Sequence, residues 1–283
     1  MVGLSLCSDA EDSTQLLRAI AKVRREVADN DDLLLVESVE DIRRACRSGR
    51  LAVAMNAQGT NSVGSDLNLV EAYYKLGVRQ MLLVYNHKSR VGDGCHERTD
   101  SGLSRYGLEL VAEMNRVGML VDVSHAGHRT SMEAIDASSV PVVFSHSNPR
   151  ALWSHDRNIT DDQARACADK GGWVGVTGVG IFMGEDDAST QTVFRQIDHW
   201  VSLLGAEHVG LGTDFVYDPH DMHRYMAGVK SPAAGNYERM FNFFQPEQLP
   251  ELVECMLAAN YSEDVVRGIF GENYLRVAGL VWR

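Results

Sequence analysis

The stretch GLSRYGLELVAEMNRVGMLVDVSHAGHRT, residues 102–130, decides the fold class of this chain. Its first half places Leu108, Val111 and Met114 at helical spacing, which predicts a helix over 104–117. Its second half contains LVDVS at 120–124, a short run rich in Val and Leu that is typical of a strand buried on both faces of a parallel sheet. A helix that leads directly into such a strand is the repeating unit of an α/β fold.

The same alternation continues on both sides of this stretch. Further strand candidates of about 4–7 residues lie near Leu4 and at 51–55, 81–85, 142–146, 173–178 and 209–215. Helical patterns fall at 13–27, 160–169 and 190–204, and two helices are expected to end the chain, over 246–260 and 262–282. The count of seven strands is one short of a (β/α)8 barrel. We therefore predict one domain over 1–283, an α/β TIM-like barrel that lacks or replaces the first strand, with a long pocket loop at about 216–245.

Composition and charge narrow the class of protein. The chain is 45% hydrophobic and 23% charged, as in ordinary soluble proteins, and it contains no apolar stretch of membrane-spanning length. The formal net charge of -12 argues against nucleic acid and anionic membranes as partners. Five scattered cysteines without a CxxC pair, and an N-terminus without a signal-peptide pattern, favour a reducing compartment. We expect a cytoplasmic enzyme with a small-molecule substrate.

Candidate reactive residues stand where predicted strands end, since the carboxyl ends of barrel strands carry the active site. His125 and His146 end two consecutive strands, and Asp214 ends the last predicted strand, within GTDF. Imidazoles can ligate a zinc-like ion, and an aspartate can take a proton from an attacking water. One histidine at a strand end is more often structural, but the three residues together favour a metal-dependent hydrolase.

Two further segments allow either a functional or an ordinary interpretation. Arg157, in HDRN, is either a charge beside a helix start or a guanidinium that holds a substrate carboxylate. His220 and His223 lie in the long loop after Asp214 and would meet only if that stretch is helical.

The blocks at 102–130, PVVFSHSNPRALWSHDRNITDDQ at 141–163 and HVGLGTDF at 208–215 resemble the renal (membrane) dipeptidase family in order and spacing. The resemblance runs from about Ala52 to the end, and YN followed by GDGCHER is similar to the bacterial branch. It implies a (β/α)-barrel with a two-zinc site that hydrolyses dipeptides, and a homodimer. By this resemblance His125 and His146 are ligands of one zinc, Arg157 holds the carboxylate of the substrate, and Asp214 lies near the catalytic water.

Three family features do not carry over. The His-x-Asp pair of the family's first strand appears nowhere in the chain, which by this resemblance begins at the family's second strand. Gln58 stands where the family has its bridging glutamate, and a neutral amide is a poor bridge between two cations. Tyr85 stands where the family has a substrate histidine, so that His87 takes this role only after a shift of the loop.

The combined expectation is a zinc site of one ion at most, with His125, His146 and Gln58 as ligands. Asp214 and Tyr85 are expected to be catalytic. The residues expected to bind the substrate are Arg157, Asn86 and His87. The leading hypothesis is a dipeptidase-like hydrolase of a dipeptide or small amide with a free carboxylate. Two alternatives stay open: a metal-independent lyase, isomerase or cyclase acting on a small carboxylated metabolite, and an inactive paralogue.

Overall fold

The computed structural model describes residues 1–218, 220 and 240–283. Its contacts group the chain into two compact units, Met1–Val142 with Leu275–Arg283, and Val143–Tyr274. We call these the first and the second unit. The prediction of a single domain over 1–283 stays a prediction.

The first unit is a parallel sheet with helices between the strands. Its strands are β1 (Val2–Ser8), β2 (Leu33–Leu35), β3 (Leu51–Gln58), β4 (Val78–Leu82) and β5 (Leu120–Asp122). Its helices are α1 (Ser13–Ala28), α2 (Val39–Ser48), α3 (Asn68–Lys75), α4 (Arg105–Val117) and α5 (His128–Ala137). The strands pair in the order β1-β3-β4-β5, and β2 pairs with the beginning of β3.

Local sequence signals set the helix ends in this unit. Ser104 caps α4 by accepting a hydrogen bond from the backbone N–H of Gly107 at 3.0 Å. Gly118 ends α4 with a φ of 88°, a left-handed conformation in which glycine carries no steric penalty. The predicted helix over 104–117 is therefore confirmed almost to the residue.

Residues from both ends of the chain share the core of the first unit. One apolar cluster joins β2, α2 and β3 to the last helix of the chain, which belongs to this unit; its buried members are Leu34, Val36, Ile42, Ala45, Ala52 and Ala54, with Leu275 and Trp282 packed against them. Burial of this apolar surface is what holds the last helix against the first unit.

The described residues of the second unit repeat the pattern with three parallel strands. They are β6 (Val143–Phe144), β7 (Trp173–Val176) and β8 (Val209–Leu211), paired in that order. The helices are α6 (Asp161–Asp169), α7 (Thr190–Leu204), α8 (Leu249–Ala258) and α9 (Glu263–Arg267), and α10 (Asn273–Val281) carries the chain back to the first unit. Thr160 caps α6, as the Thr-Asp-Asp pattern predicts.

The strand count from the sequence was wrong by one. Eight strands lie in the described part of the chain, and the additional one is β2. It has three residues of which only Leu34 is buried, so neither its length nor its pattern marked it as a strand. The predicted loop at about 216–245, with His223, lies largely outside the described residues. Among the described helices, none is both long and apolar enough for a membrane span.

Candidate active site

Tyr85, Asn86 and His125 form one cluster in the first unit, beyond the ends of β4 and β5. Asn86 and His125 have φ values of 61° and 64°, which are rare for non-glycine residues and often mark functional sites. The Nδ1 atom of His125 lies 2.6 Å from Oδ1 of Asn86. The rings of Tyr85 and His125 stack, with centroids 4.1 Å apart and planes inclined by 23°. The His125 ring is thus fixed on one edge and one face.

The motif GDGCHER lies along this cluster. Cys95 donates its backbone N–H to the carbonyl oxygen of His125, and His96 donates to that of Asn86, both at 2.8 Å. The Cys95 thiol also donates to Oδ1 of Asn86 at 3.5 Å. Gly94 has no room for a side chain, because a Cβ would collide with the backbone of Asn86. The motif therefore holds the backbone of Asn86 and His125 and the side chain of Asn86.

Asp93 anchors the same motif. Its carboxylate accepts hydrogen bonds from the Thr99 hydroxyl at 2.6 Å and the Ser101 backbone N–H at 2.7 Å, and Lys88 lies 3.3 Å away. Burial alone would raise the pKa of this carboxyl, but these donors outweigh it and lower the pKa to about 2. Asp93 is therefore ionised at neutral pH and fastens the loop.

Gln58 and His87 complete the predicted residues of the first unit. Gln58 is the last residue of β3 and is partly buried. His87 follows Asn86, and its Nε2 atom is buried without a hydrogen-bond partner among the residues that the structure describes. An imidazole nitrogen in that state is suited to a polar ligand.

Arg157 is a buried charged residue of the second unit. Only 2% of it is exposed, and its Nη2 donates to the carbonyl oxygen of His146 at 3.2 Å. The guanidinium lies over the ring of Phe182, 5.3 Å from the centroid. Its Nε atom is buried without a hydrogen-bond partner in the described part of the chain. A buried cation whose N–H donor lacks an acceptor costs desolvation free energy, and an anionic ligand would offset that cost.

His146 and Asp214 lie in this unit too. The Nδ1 atom of His146 is 2.6 Å from the hydroxyl of Ser145, which fixes the orientation of the ring. Asp214 has a φ of 53° and follows Thr213, whose carbonyl oxygen accepts the backbone N–H of Gly178 at 2.9 Å. His146 and Asp214 thus both lie shortly beyond strand ends of the second unit, after β6 and β8.

Sequence reasoning missed Asp9, which directly follows β1. Its carboxylate accepts the backbone N–H groups of Thr60 at 2.7 Å and of Tyr85 at 2.9 Å. Burial raises the pKa of the Asp9 carboxyl above its ordinary value, although these backbone donors act to lower it. The signal was present, because Asp9 stands at a strand end like the residues that were selected.

Comparison with known proteins shows the family of this chain. Residues 6–282 match the family model described as membrane dipeptidase, peptidase family M19. The chain belongs to the membrane dipeptidase family. An uncharacterized dipeptidase of Schizosaccharomyces pombe is 34% identical over 256 residues, which are 88% of this chain and 58% of that protein. Dipeptidase tcpJ of Claviceps purpurea is 29% identical over 88% of this chain and 55% of its own length. The present chain therefore spans little more than half the length of either relative.

Solved structures agree on the fold. An amidohydrolase from Pseudomonas aeruginosa is 33% identical, has a TM-score of 0.90, and matches over 99% of this chain and 88% of its own. A metallopeptidase from Rhodobacter sphaeroides, solved with a phosphinate mimic of the dipeptide L-Ala-D-Ala, has a TM-score of 0.80 at 23% identity, over 99% of this chain and 77% of its own. The predicted family and the α/β fold of the TIM-like barrel class are both confirmed.

The zinc pair implied by the family does not fit the donors in the part of the chain that the structure describes. Among residues 1–218, 220 and 240–283, no group of three or more His, Cys, Asp or Glu side chains is arranged to hold a metal ion. A catalytic zinc ordinarily has about three protein ligands, and a zinc pair shares an anionic bridge. Gln58, which the family resemblance puts at the bridging position, offers a neutral amide.

Proposed function

We propose that this protein hydrolyses a dipeptide, or a small amide of similar size, that carries a free carboxylate. The observation that supports this most strongly is Arg157, which is almost fully buried and has no ion-pair partner among the described residues. The phosphinate dipeptide mimic bound by the Rhodobacter sphaeroides relative is a ligand of the same chemical class.

Arg157 suits a carboxylate by shape as well as by charge. A guanidinium offers parallel N–H donors that match both oxygens of a carboxylate, which an ammonium group cannot do. The contact with Phe182 and the hydrogen bond to the carbonyl of His146 fix the plane of the group before a ligand arrives. A substrate held in this way loses less entropy in reaching a reactive pose.

The remaining residues are proposed to have acid–base and orienting roles. Asp214 would take a proton from the attacking water, and Tyr85 would donate a hydrogen bond to the reacting group. Asn86 and His87 would contact the substrate, although Asn86 already holds His125. We propose that the protein binds one zinc ion at most, with His125, His146 and Gln58 as its ligands.

A metal-independent enzyme on the same scaffold is the second candidate. The neutral amide of Gln58 and the lack of a three-ligand group among the described residues favour it. Such an enzyme would be a lyase, isomerase or cyclase that acts on a small carboxylated metabolite, with Arg157 in the same role. Asp214 and Tyr85 would then transfer protons without a metal-bound water.

The test is elemental analysis of the purified protein, together with dipeptide hydrolysis before and after zinc is added. The first proposal expects turnover that rises with zinc up to one equivalent and is lost in His125→Gln. His128→Gln is the matched control, because His128 is an exposed histidine three positions further along the chain. Absence of hydrolysis at every zinc concentration would reject the dipeptidase proposal and leave the metal-independent one.

Two expectations remain proposals about context. The family resemblance suggests a homodimer, which sedimentation at several protein concentrations would reveal. The cysteine pattern suggests the cytoplasm, which fractionation of the source cells would test.

A further inference from the structure

We propose that Asp9 is a positioning residue, whose carboxylate joins the loops after β3 and β4 and thereby fixes Tyr85 against His125 and the loop that follows Gln58. Its catalytic consequence rests on the proposed function, in which Tyr85 and His125 act at the reaction centre. Its structural consequence does not, because the ring of His125 can be observed without any substrate.

The two oxygens of Asp9 serve different loops. Oδ1 accepts the backbone N–H groups of Thr60 at 2.7 Å and Asn61 at 3.2 Å, both in the loop after β3. Oδ2 accepts the backbone N–H of Tyr85 at 2.9 Å, in the loop after β4. A single side chain from the end of β1 therefore ties together the ends of two other strands.

The loop after β3 is shaped to receive this carboxylate. Gly59 leaves the space in which Oδ1 lies, because a Cβ at that position would collide with the Asp9 side chain and backbone. The side-chain amide of Asn61 donates back to the carbonyl oxygen of Asp9. Thr60 donates its hydroxyl to the carbonyl oxygen of Leu83 at 2.9 Å, which adds a direct link between the two loops.

The tie leads directly to His125. The Tyr85 amide is held by Asp9, and the Tyr85 ring stacks on His125 with centroids 4.1 Å apart. The next residue, Asn86, lies 2.6 Å from Nδ1 of the same histidine. If the Tyr85 backbone moves, both contacts with the imidazole move with it. Gln58 lies directly before Gly59 and depends on the same loop.

Asp9→Asn is the smallest change that breaks the tie. An asparagine has one acceptor oxygen, so its NH₂ group must face a backbone N–H donor in one loop or the other. The shape of the side chain is kept, and one loop is released. Asp31→Asn is the control, because it makes the same change of charge at an exposed aspartate.

The readout is the ring-proton NMR signal of His125 in histidine-labelled protein, assigned through His125→Gln. Tyr85→Leu supplies the position of this signal without the stacked ring. We expect Asp9→Asn to move the signal by at least half of the Tyr85→Leu displacement, and Asp31→Asn to leave it in place. If dipeptide turnover is present, kcat should fall about tenfold in Asp9→Asn, the lower end of the loss seen when an outer-shell partner is removed, with KM unchanged.

A folded Asp9→Asn protein with an unmoved His125 signal would overturn the proposal. If this variant fails to fold, Asp9→Glu replaces it, since the longer side chain keeps the charge and moves both oxygens away from the backbone N–H groups of Thr60 and Tyr85. An unmoved signal there would overturn the proposal as well. Absence of dipeptide turnover by the native chain would reject the proposed function but would leave the NMR result for Asp9 standing.

Discussion

Replacing Arg157 with methionine should separate ligand binding from stability. The change removes a contact with the Phe182 ring, of about 1–2 kcal/mol when desolvated, and a hydrogen bond from a charged group to the carbonyl of His146, of about 1.5 kcal/mol. It also removes the unpartnered Nε atom, whose burial costs about 1–3 kcal/mol. Because these contributions oppose each other, we expect the free energy of unfolding to fall by only about 1 kcal/mol.

The effect on the substrate should be much larger. Loss of a bidentate guanidinium–carboxylate pair removes about 3 kcal/mol of binding, which corresponds to a decrease of about 100-fold in kcat/KM. The kcat/KM of Arg157→Lys should lie between those of the native protein and Arg157→Met, since lysine keeps the charge and loses the paired donors. The assay is steady-state hydrolysis of a dipeptide series, with urea unfolding of each variant beside it.

Arg150→Met is the matched control for this prediction. Arg150 lies in the same segment, is 44% exposed and pairs with Asp156 at 3.5 Å, so its loss should change neither binding nor stability measurably. A stability loss of several kcal/mol in Arg157→Met with an unchanged kcat/KM would refute the reasoning. Arg157 would then be a structural residue.

Three further predictions test the packing and electrostatics. Gly212→Ala should lower the free energy of unfolding by about 3 kcal/mol, because its Cβ would collide with the carbonyl oxygen of Ser145. Gly279→Ala is the control, because a Cβ at this helical position meets only ordinary contact with Val39 and should not lower that free energy; equal urea midpoints of the two variants would contradict this. The pKa of Asp93 is lowered to about 2, so its ionised form stabilises the fold above about pH 4, and this contribution of roughly 2 kcal/mol is lost as the pH falls to about 2. The stability of Asp93→Asn should therefore fall less steeply with acid than that of the native protein. Parallel acid-unfolding curves for the two proteins would contradict this. Burial, with nearby carboxylates, raises the pKa of Cys7 to about 12, so iodoacetamide should modify this thiol only when urea unfolds the protein. Peptide mass spectrometry measures the modification, and rapid modification of Cys7 in the folded protein would contradict the prediction.

The sequence predicted those parts of the fold that depend on local patterns. Amphipathic spacing and capping residues located α4 and α6, and runs of Val and Leu located β3 and β7. The strand β2 was missed because three residues with one buried side chain carry too little signal. Such a short strand is held by its neighbour β3, which is a tertiary effect.

The candidate site was predictable in residue type but not in arrangement. Reading strand ends identified His125, His146 and Asp214 and overlooked Asp9, which meets the same criterion. The stacking of Tyr85 on His125 had no sequence signal, since the two residues are 40 positions apart and meet only after β4 and β5 pair. Contacts between separate strand ends depend on the register in which the strands pair, and a single sequence does not reveal that register.

The most direct test of the account compares two substrates that differ only at the carboxyl terminus. Initial hydrolysis rates of the purified protein would be measured on a dipeptide and on the same dipeptide with its terminus amidated, with zinc present. The account predicts measurable hydrolysis of the free dipeptide and a decrease of about 100-fold in kcat/KM on amidation, a loss that Arg157→Met should no longer show. Equal rates on both substrates, or hydrolysis of neither, would contradict the claim that this chain is a hydrolase that recognises a free carboxylate.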